Sequence, residues 1–173
     1  MSTQTYNFYM SYATLKSNGE YDVIRDEDGT PSDVRDLETD ENFNFDDGTR
    51  LKYCKCVGLE DVGEARIYTE EYADSDRIRV LIPEKITHKP TEVKLTLVFV
   101  GDKRRLSYNN FNEWLNGRTM AYWDSARKKR LFFYVKSSTK PSEDKFLGST
   151  PYIEATYTLS NIMGKTEDKT FIY

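Results

Sequence analysis

The stretch from Glu92 to Leu159 constrains the fold more tightly than any other part of this chain. Glu92–Val100 (EVKLTLVFV) alternates, placing Val93, Leu95, Leu97 and Phe99 on one face. Successive side chains of a strand point to opposite faces, so the pattern predicts a strand with one face on a core. Ser107–Gly117 (SYNNFNEWLNG) predicts one short helix. Its Tyr108, Phe111, Trp114 and Leu115 fall at i, i+3, i+6 and i+7, a single apolar stripe suited to packing on a sheet. Ser107 is expected as the N-cap, its hydroxyl accepting a free amide of the first turn. Gly117 suits the left-handed position past the last turn. Asn109, Asn112, Glu113 and Asn116 are expected to face water. Thr119–Asp124 and Arg130–Lys136 predict a hairpin closed at Asp124-Ser125-Ala126, because an Asp side chain bonds the backbone two residues on. Leu131–Val135 is apolar on both faces, as in a strand lying between layers or in a protein interface. Ser137–Gly148 is a polar loop with Pro141, of a length that usually makes contacts. Tyr152–Leu159 alternates again. The expected fold is mainly β (α+β), an antiparallel β-sandwich with one short packed helix at about residues 107–117.

The remaining segments read as additions to that core. Met1–Leu15 is aromatic and mildly alternating, an extended arm or a first strand. Lys16–Gly19 is a turn and Glu20–Arg25 a short strand. Asp26–Gly48 is acidic, with Pro31 and only Leu37, Phe43 and Phe45 as large anchors. It reads as a long loop or partly disordered insertion. Leu51–Val57, Ala65–Tyr72 and Arg77–Ile82 are strand-like. Residues 1–76 are thus expected to hold an N-terminal arm, short strands and the acidic loop, within the same domain as a sandwich core at 77–173. A chain of 173 residues can bury a sizeable core, roughly 70% of its unfolded surface.

Charge is divided along the chain. Residues 1–87 carry 10 Lys and Arg against 20 Asp and Glu, and residues 88–173 carry 15 against 9, so a local −10 and +6 give the net −4. Opposed halves suit a head-to-tail contact between copies, and such heterologous contacts close into rings. Lys103-Arg104-Arg105 and Arg127-Lys128-Lys129-Arg130 are basic clusters beside aromatics. The chain is acidic overall, with pI ≈ 5.2, and no nucleic-acid motif surrounds either cluster, so neither is read as a nucleic-acid site. No apolar run reaches the length of a membrane span and no signal peptide is visible, and the close pair Cys54 and Cys56, an improbable disulfide, reads as reduced, cytoplasmic synthesis.

Residues with catalytic potential are sparse. His88 is the single histidine and is expected in an exposed connection. Cys54 and Cys56 are two apart on an expected strand, so both should share a face. That spacing is a poor disulfide and a poor metal site. Asp26-Glu27-Asp28-Gly29 resembles part of a calcium loop. With Gly29 at its sixth position, Ile24 and Arg35 stand where the first and twelfth ligands should be, and the motif fails. Nucleotide, hydrolase and zinc-protease fingerprints do not occur. Of the carboxylates, Asp124 is expected in a turn and Glu154 on the polar face of its strand. No catalytic, metal-binding or cofactor-binding residue is assigned, and no enzyme activity is expected. The competing readings are a monomeric β-sandwich module binding carbohydrate or peptide through exposed Tyr and Trp, and a small β-rich enzyme.

One arrangement carries a family resemblance. A strand ending near Pro83 precedes LTLVFVG, a basic turn, a helix with Asn112-Glu113-Trp114-Leu115, then AYWDSARKKRLFFYV and YIEATYTLSN. This block, about half the chain, is similar to the N-terminal core domain of distal tail proteins of long-tailed bacteriophages. The matching positions are Trp114, Leu115, Tyr122, Asp124, Tyr134 and the strand Ile153–Leu159. That domain also resembles tail-tube subunits. The resemblance implies a β-sandwich with a packed helix, assembling as a homo-oligomeric, hexameric ring in contact with other tail or baseplate proteins. It implies a virion tail location after synthesis in the host cytoplasm. The acidic region Asp26–Gly48 is not part of that pattern, and these 173 residues are expected to leave no room for the C-terminal carbohydrate-binding-like domain that larger members carry. On this reading the subunit-interface candidates are Arg127, Lys128, Lys129, Arg130, Phe132, Tyr134, Lys140 and Phe146. The structural core would contain Leu97, Phe99, Phe111, Trp114, Leu115 and Tyr122. Reversing the charges of Arg127–Arg130 is then expected to weaken assembly without harming the fold.

Overall fold

A computed structural model describes residues 8–65, 68–71, 78–81, 88–115, 117–138 and 140–172. The described chain is mostly β, with an antiparallel main sheet and one short helix. Its strands are β1 (Phe8–Leu15), β2 (Tyr21–Val23), β3 (Arg35–Asp36), β4 (Arg50–Val57), β5 (Tyr68–Glu71), β6 (Ile78–Leu81) and β7 (Thr91–Val100). The helix α1 (Arg104–Leu115) precedes β8 (Met120–Asp124), β9 (Lys129–Ser138), β10 (Lys145–Leu147), β11 (Thr150–Asn161) and β12 (Glu167–Asp168). The sheet runs β2-β1-β8-β9-β11-β7-β4, with β10 on β11, β12 on β9 and β3 on β1. β5 and β6 pair with each other as a separate ribbon. Residues 1–7 of the expected arm lie outside the described residues, as do Arg66, Ile67, Tyr72, Arg77 and Ile82 of the expected strands.

The alternation in the sequence becomes the interior. β7 and β11 pair without interruption from Val100↔Tyr152 to Thr91↔Asn161. Val93, Leu95, Leu97 and Phe99 of β7 thereby face inward beside Ile153, Ala155, Tyr157 and Leu159 of β11, and all eight are buried. The sheet curls round this interior. Phe8 of β1 and Tyr53 of β4, far apart in strand order, bring their ring centroids to 5.2 Å. The helix closes the interior with its apolar stripe. The Phe111 ring lies 5.6 Å from Phe43, 6.2 Å from Phe99 and 5.4 Å from Tyr157.

The helix starts earlier than its sequence signals imply. Arg104 is its first residue, so Ser107 is not the N-cap but lies within it, fully buried. There the Ser107 hydroxyl donates to the Phe43 carbonyl at 2.7 Å. Ahead of the first turn, the Lys103 amide donates to Thr49 Oγ1 at 3.1 Å. A helix N-terminus needs such acceptors, and here a distant segment supplies one. Asn112 does not face water either: it is half-buried, and its Oδ1 accepts the Tyr157 hydroxyl at 3.1 Å. Gly117 does take the left-handed conformation, with φ 68°. Asn116 lies outside the described residues. Ser107→Ala would leave the buried Phe43 carbonyl without its donor. It is expected to cost about 1–3 kcal/mol, read as a lower urea midpoint with an unchanged slope.

The acidic segment Asp26–Gly48 is a long loop, one of the two expected readings, with only Arg35–Asp36 as strand, and it is tied to the rest of the chain. It opens with a tight turn, the Asp26 amide donating to the Thr30 carbonyl at 2.8 Å. β3 then pairs with β1 through Tyr9↔Asp36 and Met10↔Arg35. Leu37 and Phe43 are driven into the core at 0% exposure. Asn44 ties the segment down. Its Nδ2 donates to the carbonyls of Leu37 and Asp40, both at 2.9 Å, and its Oδ1 accepts the Leu51 amide at 3.1 Å. The Arg35 guanidinium sits 4.7 Å over the Trp114 ring while bonding Asp33 at 2.9 Å. Few apolar residues suffice here, because Leu37 and Phe43 enter the main core while Phe45 stays half-buried with Lys103 over its ring.

The doubly apolar strand β9 also finds its cover within the chain. Ala13, Val23, Ala121, Trp123, Phe132 and Ile172 form a second cluster on the outer face of β1, β8 and β9. Segment 167–172 lies across that face. Trp123 Nε1 donates to the Lys169 carbonyl at 2.8 Å, and Arg130 Nη1 to the Ile172 carbonyl at 3.0 Å.

Candidate interaction surface

β10 and the start of β11 form a hairpin paired from Lys145↔Tyr152 to Leu147↔Thr150. The expected polar loop Ser137–Gly148 is therefore partly strand. At this hairpin Phe146 is 65% and Leu147 78% exposed, the most exposed large apolar side chains described. Beside it the outer face of the sheet forms an open groove of about 490 Å³. Val98, Val100 and Tyr152 make its floor, Lys52 and Cys54 of β4 one wall and Leu147 the other, and the Glu154 side chain also lines it. The floor valines are the even positions of β7, opposite the face that fills the core. Lys52, Lys55 and Lys94 stand exposed on this side of the sheet. Lys145 pairs with Glu154 at 3.7 Å.

The two cysteines separate at a bulge. Tyr53 pairs with Leu97 but Lys55 with Thr96, so Cys54 is an extra residue in β4. An inserted residue reverses the alternation beyond it. Cys54 is exposed at the groove, whereas Cys56 packs against the core. They do not share a face, contrary to expectation. Burial pushes the Cys56 thiol up to about 12, which keeps it protonated and unreactive.

Of the eight interface candidates, Arg130 and Phe132 are buried within the chain. Arg127 and Lys128 are exposed in the β8–β9 turn, with Lys128 at φ 52°. Tyr134, Lys140 and Phe146 are also exposed. Lys129 bonds Asp168 at 3.0 Å. Arg130 is 5% exposed, its guanidinium committed to Glu167 at 2.6 Å and to the Ile172 carbonyl. Phe132 is 2% exposed in the second cluster. Arg130 and Phe132 are thus used up inside the chain. The other basic cluster is engaged as well: Arg104 and Arg105 bond Asp144 at 2.9 and 3.1 Å, and Lys103 lies 5.5 Å over the Phe45 ring. Arg104 holds the Asp144 carboxyl below its usual range. Leu97, Phe99, Phe111, Trp114, Leu115 and Tyr122 are all buried in the main core.

The carboxylates act structurally. Asp124 is 1% exposed, and its Oδ1 accepts the amides of Ala126 at 2.9 Å and Arg127 at 3.0 Å, closing the β8–β9 turn. Burial raises the carboxyls of Asp36 and Glu38, and Glu38 accepts the Tyr53 amide at the outer edge of β4. That bond and the one from Asn44 occupy edge amides that would otherwise invite another strand. The acidic turn after β2 is closed by its own backbone, and Asp28 Oδ1 accepts the Thr30 amide at 3.0 Å. His88 is half-buried rather than exposed, with Nδ1 2.9 Å from the Gly63 carbonyl. Among the described residues no three metal-ligating side chains cluster, and no helix is long and apolar enough to cross a membrane.

Neither a protein-family model nor a curated protein matches this chain. The groove was missed in the sequence, although its signal is there. Val98 and Val100 break the polar rule on the outward face of an otherwise alternating strand.

Proposed function

We propose that this chain is a non-catalytic, self-assembling structural protein, a ring-forming adaptor of a phage or prophage tail that contacts other tail or baseplate proteins. One observation carries the self-assembly: the apolar hairpin of Phe146 and Leu147 stands exposed beside an apolar groove. Exposed contiguous apolar surface is characteristic of protein–protein contact. The charge division of −10 and +6 between the two halves adds an electrostatic component. The tail assignment rests on the resemblance of the strand, WL helix and charged hairpin to distal tail proteins. The competing module reading draws on exposed Trp and Tyr to stack on sugar. Both tryptophans are instead engaged within the chain, Trp114 Nε1 bonding Asp33 at 3.0 Å and Trp123 Nε1 the Lys169 carbonyl.

Solution mass by light scattering tests the proposal. A multi-copy species that loosens as salt rises is expected, because surface charge contacts are screened within about 8–10 Å at 0.10–0.15 M salt. A monomer at low and high salt, across concentrations, would overturn self-assembly. Reversing all four of Arg127–Arg130 is no longer a clean probe. It would cut the Arg130 bonds to Glu167 and Ile172 and so damage the fold itself.

A further inference from the structure

The basic clusters conspicuous in the sequence are largely neutralised within the chain, which moves the available positive charge elsewhere. Lys52 lines the groove floored by Val98 and Val100, together with Glu154, which Lys145 pairs at 3.7 Å, and Lys55 and Lys94 stand exposed further along the same outer face of β4 and β7. Their register strings them along one face: Lys52 is opposite Val98, Lys55 opposite Thr96, and Lys94 opposite Val57. The bulge at Cys54 is what keeps Lys52 and Lys55 on one side, since three residues would otherwise put them on opposite faces. A surface of complementary character exists on the same chain. The turn after β2 presents Asp26, Glu27 and Asp28, all exposed, with Ile24 38% exposed beside them. Its shape is preformed by the Asp26–Thr30 backbone bond and the Arg25↔Pro31 bridge. Preformed turns lose little entropy on docking.

We propose that the groove and the strip of Lys52, Lys55 and Lys94 beside it receive the acidic turn Asp26–Asp28 of a second copy of this chain, with Ile24 against the groove's apolar floor. The two surfaces are different parts of the molecule, so the contact is heterologous and propagates head to tail. This rests on the self-assembly reading above and adds the identity of the two mating surfaces.

Two variants of the full chain test it. One carries Asp26→Lys and Glu27→Lys, the other Lys52→Glu and Lys55→Glu. None of these side chains enters the core, and circular dichroism with thermal melting checks that both remain folded. Each variant alone sets like charges against each other. Its self-association is expected to weaken by about tenfold or more, since like charges set against each other oppose the contact. An equimolar mixture restores complementarity at every contact, so the wild-type mass should return. Weakening of each variant with recovery on mixing supports the proposal. An assembled wild type whose mass neither variant changes overturns this interface and leaves self-assembly standing. Weakening without recovery on mixing also overturns the pairing. A wild type that is monomeric under all conditions removes self-assembly, and this interface with it.

Discussion

Phe111→Ala is expected to lower folding stability by about 3–5 kcal/mol, the range for a large buried aromatic whose site cannot collapse. Phe111 is 0% exposed and meets rings from four separate parts of the chain. Phe43 comes from the acidic segment, Phe99 from β7, Tyr157 from β11 and Trp114 from its own helix. Removing the ring leaves a cavity bounded by elements that cannot all move inward together. Native proteins have only about 5–15 kcal/mol in hand, so the variant should unfold at a much lower urea concentration. Leu106→Ala, on the exposed side of the same helix at 48% exposure, is the control. It should change stability by no more than about 0.5 kcal/mol. Equal effects of the two substitutions would contradict the packing of α1 on the sheet.

The second large effect is expected at Gly63. A Cβ there would lie 1.8 Å from the Lys89 carbonyl oxygen, far inside van der Waals contact. The obstacle is backbone, so no side-chain rotation relieves it. The surroundings are also fixed: the Gly63 amide donates to the Gly164 carbonyl at 2.7 Å, and the Lys89 amide to the Glu64 carbonyl at 2.8 Å. Gly63→Ala should cost at least about 3 kcal/mol, the upper end of overpacking effects, or abolish folding. Gly19→Ala provides the contrast. Its φ of 84° is left-handed, but nothing lies within 4 Å of the added carbon. It should lose only about 1–2 kcal/mol. Thermal midpoints measured side by side separate a clash from a backbone preference. A mild Gly63→Ala would mean that the connection from β4 is not pressed against residue 89.

Local patterns were legible where one period governed a whole segment. The alternation of Val93, Leu95, Leu97 and Phe99 required a one-sided strand, and β7 is one. The stripe from Tyr108 to Leu115 required a helix on a surface, and α1 packs through Phe111, Trp114 and Leu115. Asp124 was read as a turn residue and accepts two turn amides. The candidate surface was less legible. Arg130 and Phe132 looked like partner-binding residues because a two-sided strand does not reveal what covers it. Segment 167–172 covers it here, and the pairing of β12 with β9 is a long-range event. Ser107 had the right chemistry for an N-cap, yet Thr49 offers an acceptor to the amide ahead of the helix and lets it begin a turn earlier.

The acidic segment shows the same division most clearly. Its composition forecast weak order, since Leu37, Phe43 and Phe45 cannot form a core by themselves. The segment is held where Leu37 and Phe43 are received in the main core, with Asn44 satisfying the backbone on both sides. The sequence by itself determined the strand periods, the helix and its buried face, and the opposed charges of the two halves. These depend on residues close in the chain and on covalent geometry. Only the tertiary structure decided which apolar faces cover one another, which cations are neutralised by Asp144 and Glu167, and which lysines remain exposed on the outer face of β4 and β7. Those outcomes depend on contacts between residues about 40 or more apart in the chain, whose selection is a competition among alternatives that no local pattern encodes.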